Sequence, residues 1–177
     1  MKKEVATHFI FLAALFLLVT ILKGWFDIRF IIFWLGGIIG TILPDIDHLI
    51  YVYFVKPDAA DSQRAVNLIQ GRSFFKGWKY LTETRTTRTD LIFHTAHFQI
   101  LFVLFAIVVI TSSGSLLGAG LVLAFLLHLL VDQAIDFFEG GNFSAWFSKL
   151  PIELDEEQRK WYLGVNLVVL LVIILLM

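Results

Sequence analysis

The 177-residue chain contains no cysteine. That excludes a disulfide framework, a thiolate metal site and a cysteine nucleophile, so a bound metal would have to be held by histidine and carboxylate side chains. Charge is also scarce: 16% of the residues are Asp, Glu, Lys or Arg, where soluble globular domains average about 25%. The formal net charge is −1 and no dense basic tract interleaves with aromatics, which argues against nucleic acid as a partner. There is no Gly-x-Ser-x-Gly elbow, no Gly-Lys-Ser/Thr phosphate loop and no Gly-x-Gly-x-x-Gly turn. Serine hydrolases, NTPases and dinucleotide enzymes are thereby disfavoured.

What the chain has in quantity is apolar residues, 58% of the total, at a mean hydropathy of +0.81. They are gathered into runs near the length of about 20 residues that a bilayer-spanning helix needs. The expected spans are 5–22, 30–53, 91–111, 115–138 and 161–177. Strands of a membrane barrel alternate in polarity, whereas these runs are continuously apolar. The reading is therefore all-α: a single transmembrane domain over 1–177, an integral membrane bundle of about five helices. The first run follows Lys2 and Lys3 as a secretory signal would, but it ends in Lys23-Gly24-Trp25 without a small-x-small cleavage site. It reads as an uncleaved span. Gly36-x-x-x-Gly40 and Gly114-x-x-x-Gly118 have the spacing that lets helices approach closely.

Two loops connect the runs on one side. The loop 56–90 carries seven Lys/Arg against four acids, and the N-terminal tail adds Lys2 and Lys3. The positive-inside rule makes that side cytoplasmic. The segment 139–160 falls on the same side by span parity. In the first loop Phe74, Phe75, Trp78, Tyr80 and Leu81 alternate with Arg72, Lys76 and Lys79, which suits a helix at the headgroup level among membrane lipids. Phe143, Trp146 and Phe147 read as interfacial too, either as a simple aromatic belt or as an entry for a lipid substrate.

All five histidines, His8, His48, His94, His97 and His128, fall in or at the edge of the first four spans, with Asp45, Asp47, Asp90, Asp132 and Asp136. An ionisable group in a span costs at least ~2.5 kcal/mol near the bilayer centre, so such groups ordinarily have partners or a function. Successive spans run in opposite directions, so His8 at the start of span one, Asp45-Ile46-Asp47-His48 late in span two, His94 and His97 at the start of span three, and His128 with Asp132 late in span four converge on one end. Within helices, His94 and His97 are i, i+3, while His128 and Asp132, and Asp90 and His94, are i, i+4. Imidazoles with carboxylates suit zinc first, with manganese or iron as the other fits, as one ion or two. The metal candidates are His8, Asp45, Asp47, His48, His94, His97, His128 and Asp132, and Asp90 and Asp136 are the nearest carboxylates for a general base.

His8, the stretch Gly40-Thr41-Ile42-Leu43-Pro44-Asp45-Ile46-Asp47-His48, the His94/His97 pair and His128-Leu129-Leu130-Val131-Asp132 resemble the YdjM-type family of inner-membrane-associated metal-dependent hydrolases, which is similar in motif order to bacterial zinc-dependent phospholipase C. The likeness spans about residues 8–132. It implies that His8, Asp45, Asp47, His48, His97, His128 and Asp132 are metal ligands or their neighbours. Where that pattern has His-Arg-Gly ahead of Thr-His-Ser, this chain reads Phe93-His94-Thr95-Ala96-His97-Phe98, so either His94 or His97 can be the ligand. The expected activity is hydrolysis of a phosphoester of a lipid or other membrane-proximal substrate, by a water that the metal activates. Arg72, Arg85 and Arg88 can serve as phosphate forks or simply as topology markers on anionic lipid. The alternative is a metal-binding transporter or sensor without chemistry. Transporter sites, however, lie near the midplane at a repeat interface, and here the cluster is near one end.

Overall fold

The computed structural model of the chain describes residues 2–71, 73–139 and 143–177, with the backbone alone at 2–4, 74 and 86. Arg72, one of the three arginines considered for phosphate, lies outside the described residues. The helices are α1 (Lys2–Lys23), α2 (Ile31–Ile42), α3 (Ile46–Ile50), α4 (Ala60–Gln70), α5 (Phe74–Glu83), α6 (Ala96–Ser112), α7 (Leu116–Phe138) and α8 (Glu156–Leu176), and no strand occurs among the described residues. The all-α expectation holds. Among the described residues, four stretches have the length and apolarity of a span: Val5–Lys23, Ile28–Val55, Leu116–Phe138 and Glu156–Leu176. The fifth, α6, is apolar but only 17 residues long, about 26 Å at 1.5 Å per residue, the low end of what crosses a hydrocarbon core.

Two boundaries differ from expectation. The third span begins at Ala96 rather than 91, because residues 89–95 are not helical and Thr95 caps the helix by accepting from the Phe98 N–H at 3.3 Å. The last begins at Glu156 rather than 161, where Asp155 and Gln158 form a reciprocal capping box.

Large apolar side chains are exposed along the helices that surround α7, among them Phe11 and Leu17 on α1, Leu104 and Val108 on α6, and Leu167 and Val168 on α8. A soluble protein rarely tolerates contiguous apolar surface of this extent, and lipid tails are its natural contact. The chain is a membrane protein. At its centre is α7, 67% of whose apolar stretch is buried, against 17% to 39% for the other three long stretches.

Backbone meets backbone where α2 crosses α7. A Cβ added to Gly36 or Gly40 would lie 2.1 Å from the carbonyl oxygen of Leu117 or Leu121, and one on Gly120 would lie 2.0 Å from that of Phe33. The Gly36/Gly40 spacing therefore does pack helices. Gly114 does not: it adopts φ +60° in the turn before α7, and Gly120, outside the expected spacing, completes the contact.

The second span is continuous but changes winding. Pro44 lacks the N–H of a regular helical turn, and the chain tightens to a 3₁₀ turn over Leu43–Asp45 before α3, then loosens to a π turn over Tyr51–Val55. On the other flank, a buried amide network ties α8 to α6 and α7. Gln99 Oε1 accepts from Gln133 Nε2 (2.7 Å), the Tyr162 hydroxyl (2.9 Å) and Asn166 Nδ2 (3.1 Å). These groups satisfy one another between the helices.

At the loop-bearing end, α4 and α5 pack on the end of the second span through Tyr51, Val52, Ala65, Leu81 and Leu91. The amphipathic loop helix expected from its aromatics is α5. Phe143, Trp146 and Phe147 are instead buried, packed with Ala96, Phe125 and Leu129; composition alone does not separate a lipid-facing aromatic from one that closes a core.

Candidate metal centre

The convergence demanded by span parity is realised. His8 of α1 and His128 of α7 stack with ring centroids 4.1 Å apart. Asp132, one turn beyond His128, receives both: His8 Nε2 lies 3.3 Å from its Oδ1 and His128 Nε2 3.1 Å from its Oδ2. All three residues are buried. One potential ligand atom from each lies within 4.8 Å of the others, the set that could hold one ion.

The tight α2–α7 crossing orients this group. It brings the Thr41 carbonyl against His128, whose Nδ1 donates to it at 2.7 Å. Backbone anchoring of one ring nitrogen fixes the ring's orientation and turns the other toward the site, the arrangement that supports metal-binding histidines. His128 Nε2 is buried and has no hydrogen-bond partner, although two carboxylates face it, Asp132 at 3.1 Å and Asp45 at 3.7 Å. A divalent ion between Nε2 and these two carboxylates would take the lone pair of the neutral ring and offset their charge. The two imidazoles and the carboxylate, with Asp45 near, therefore fit a divalent ion with an open position.

Other expected residues sit around this group in different roles. His94 places Nε2 3.2 Å from Asp132 Oδ2 and Nδ1 3.1 Å from Asp47 Oδ2. An imidazole with both nitrogens on carboxylates is best satisfied as the doubly protonated cation, a positive bridge. Asp47 holds it there, accepting from the backbone N–H groups of Ile92 (3.0 Å), Phe93 (2.6 Å) and His94 (3.1 Å). His48 stacks on the His94 ring at 5.4 Å, away from the three-residue group, and its buried Nδ1 has no hydrogen-bond partner. Of the histidine pair, His94 faces Asp132, and the side chain of His97 is exposed on the first turn of α6.

The two carboxylates considered as bases also part company. Asp90 and His94 do not share a helical face, because 89–95 is not helical. Asp90 ion-pairs with Lys56 on the surface, and that hydrogen bond holds its carboxyl below the ordinary value. Asp136 belongs to the site: Arg85 forks across Asp132 and Asp136 with both contacts at 2.6 Å, and Trp146 Nε1 donates to Asp136 at 2.8 Å. Arg85 and Trp146 are thus constituents of the site. The sequence marks them only as a phosphate fork and a belt aromatic, and the Thr41 carbonyl leaves no side-chain signal at all.

No known protein family, curated protein or solved structure matches the chain.

Proposed function

We propose that the protein is a membrane-embedded metal-dependent hydrolase of the YdjM-like kind, acting on a phosphoester of a lipid or other membrane-proximal substrate from the cytoplasmic side of an inner membrane. The observation that carries this reading is the convergence of three buried groups: His128 Nε2, its ring oriented by Thr41, meets Asp132 at 3.1 Å beside His8. A divalent ion there, zinc fitting best by its ligands, supplies a Lewis acid and lowers the pKa of water toward 7. His8, His128 and Asp132, with Asp45, would hold it. Asp136, braced by Arg85 and Trp146, lines the adjoining cavity and is placed to take a proton from a water there. A lipid substrate is favoured by an apolar groove of about 940 Å³ between α1, α7 and α8, lined by Phe11, Leu18, Leu130 and Leu163 and reaching Thr7 and Lys160 at the site's end of the bundle.

Purified protein in phosphatidate-containing proteoliposomes is expected to release inorganic phosphate, to stop when treated with EDTA, and to resume when zinc or manganese is restored. Release that is indifferent to EDTA would contradict the reading. The orientation has its own test, made clean by the lack of native cysteine. A cysteine at exposed Gln63 should be shielded from a membrane-impermeant thiol reagent outside intact cells, and one at exposed Ser113 should be labelled; equal labelling would reject it.

One observation favours a second reading, a helix-clamping ion-pair network without an ion: Arg85 and His94 already bring positive charge to Asp132. Metal content separates the two.

A further inference from the structure

Beside the metal group is a small cavity of about 30 Å³ bordered by His48, Arg85, Arg88, Thr89, Asp136 and Trp146. About 10–15 Å³ by the same measure admits one water, so the cavity takes two or three of a tetrahedral anion's oxygens, with the rest of the group at its mouth. Its walls are unusual in what they leave unsatisfied. Arg88 is 3% exposed. Its Nη1 donates to the Leu81 carbonyl at 2.7 Å and its Nη2 to Thr84 Oγ1, but its Nε has no hydrogen-bond partner. The nearest carboxylate, Asp61, is 3.8 Å away and partly exposed. His48, 5% exposed, also lines the cavity, and its Nδ1 has no hydrogen-bond partner. Buried donors without acceptors cost about 1–3 kcal/mol each, more when charged, and a buried guanidinium calls for an anion. Burial accordingly pulls the Arg88 guanidinium below its ordinary value. Of the other charged walls, Arg85 and Asp136 are already paired with each other, so the most weakly compensated charge is that of Arg88, whose ion pair with Asp61 is long.

We infer that this cavity is a binding site for a single phosphoryl group, with Arg88 and His48 as its donors and Arg85 at its edge. The inference rests on the phosphoester reading for its place in a reaction, since it sets a phosphoryl group next to Asp132 and Asp136, but the site itself needs no metal. A phosphoryl offers three oxygens to the Arg88 Nε–H and to His48 Nδ1 in the tautomer that carries its proton there, and charge-assisted contacts to guanidinium are its strongest recognition mode.

The test is calorimetric titration of the full-length, EDTA-treated protein in detergent with inorganic phosphate. Saturable binding of one phosphate per chain is expected, weakened at least about tenfold in Arg88→Gln by loss of a charged hydrogen bond and less in Arg88→Lys, which keeps the charge but not the fork. Because Arg88 also braces Leu81 and Thr84, a variant can fail to fold. Amide hydrogen exchange on the unmodified protein covers that case, with phosphate expected to slow exchange in 85–91. Absence of saturable binding, equal binding by folded Arg88→Gln, or unchanged exchange overturns the inference. Since no metal is present, a protein that proves never to bind metal would leave this result standing. Repeating the titration in phosphatidylcholine nanodiscs with added phosphatidate identifies the source: competition assigns the site to a lipid headgroup and its absence to a soluble phosphate ester, and both uphold it.

Discussion

The Asp132→Asn protein is expected to lose metal affinity by at least about 100-fold, beyond the 10- to 100-fold typical of supporting residues. Asp132 meets His8, Arg85, His94 and His128 at 2.6–3.3 Å. Asparagine keeps the size but removes the charge that would offset a divalent ion, and it presents an amide N–H₂ where an acceptor stood. It also leaves Arg85 and His94 facing a neutral group; removing one partner of a buried ion pair costs about 3–5 kcal/mol. Thermal unfolding in detergent should show that loss, so metal content is to be measured per folded chain by elemental analysis. Full occupancy in folded Asp132→Asn would remove Asp132 from the ligand set. Asp90→Asn is the contrast: its exposed pair with Lys56 lies on the surface, and metal content should not change.

The second large effect is expected from Gly120→Val. Every Cβ at this position is driven into the Phe33 carbonyl, 2.0 Å away, and a backbone atom cannot swing aside as a side chain can. Overpacking of a tight contact costs about 1–3 kcal/mol and occasionally more, and separation of α2 from α7 would also draw the Thr41 carbonyl off His128. Lower thermal stability and weaker metal binding should therefore appear together. Gly164→Ala, with nothing within 4 Å of its Cβ, is expected to be neutral or stabilising by about 1 kcal/mol through helix propensity. Similar melting temperatures for Gly120→Val and the unmodified chain would show that the α2–α7 crossing is looser than described.

How far the sequence carried depended on which physics decided each feature. Membrane helices follow from apolar run length, and the meeting of His8 with His128 follows from counting spans, because alternate direction leaves those two ends no other place. The i, i+4 pair His128/Asp132 survives because α7 is regular there. The Asp90/His94 pairing does not, since Asp47 captures three backbone N–H groups across 45 residues or more of chain, and no local pattern signals so distant an acceptor. Thr95 as an N-cap and Asp155-x-x-Gln158 as a capping box were legible signals for two helix starts; the apolar runs alone misplace both. Gly120 acts across a helix pair, where spacing within one helix says nothing. Arg85 reaches back 47 residues before Asp132, and only the packing of α4 and α5 on Tyr51 and Val52 brings it there.

The most direct test of the account is elemental analysis of the unmodified protein, purified without chelators from cells grown in metal-replete medium and counted against folded chain. The account predicts about one divalent ion per chain, zinc first, in a site of two imidazoles and carboxylate, removable by EDTA and restored by dialysis. A folded protein that carries no divalent metal and takes none up would contradict it, and would leave His8, His128 and Asp132 as part of an ion-pair network that Arg85 and His94 complete.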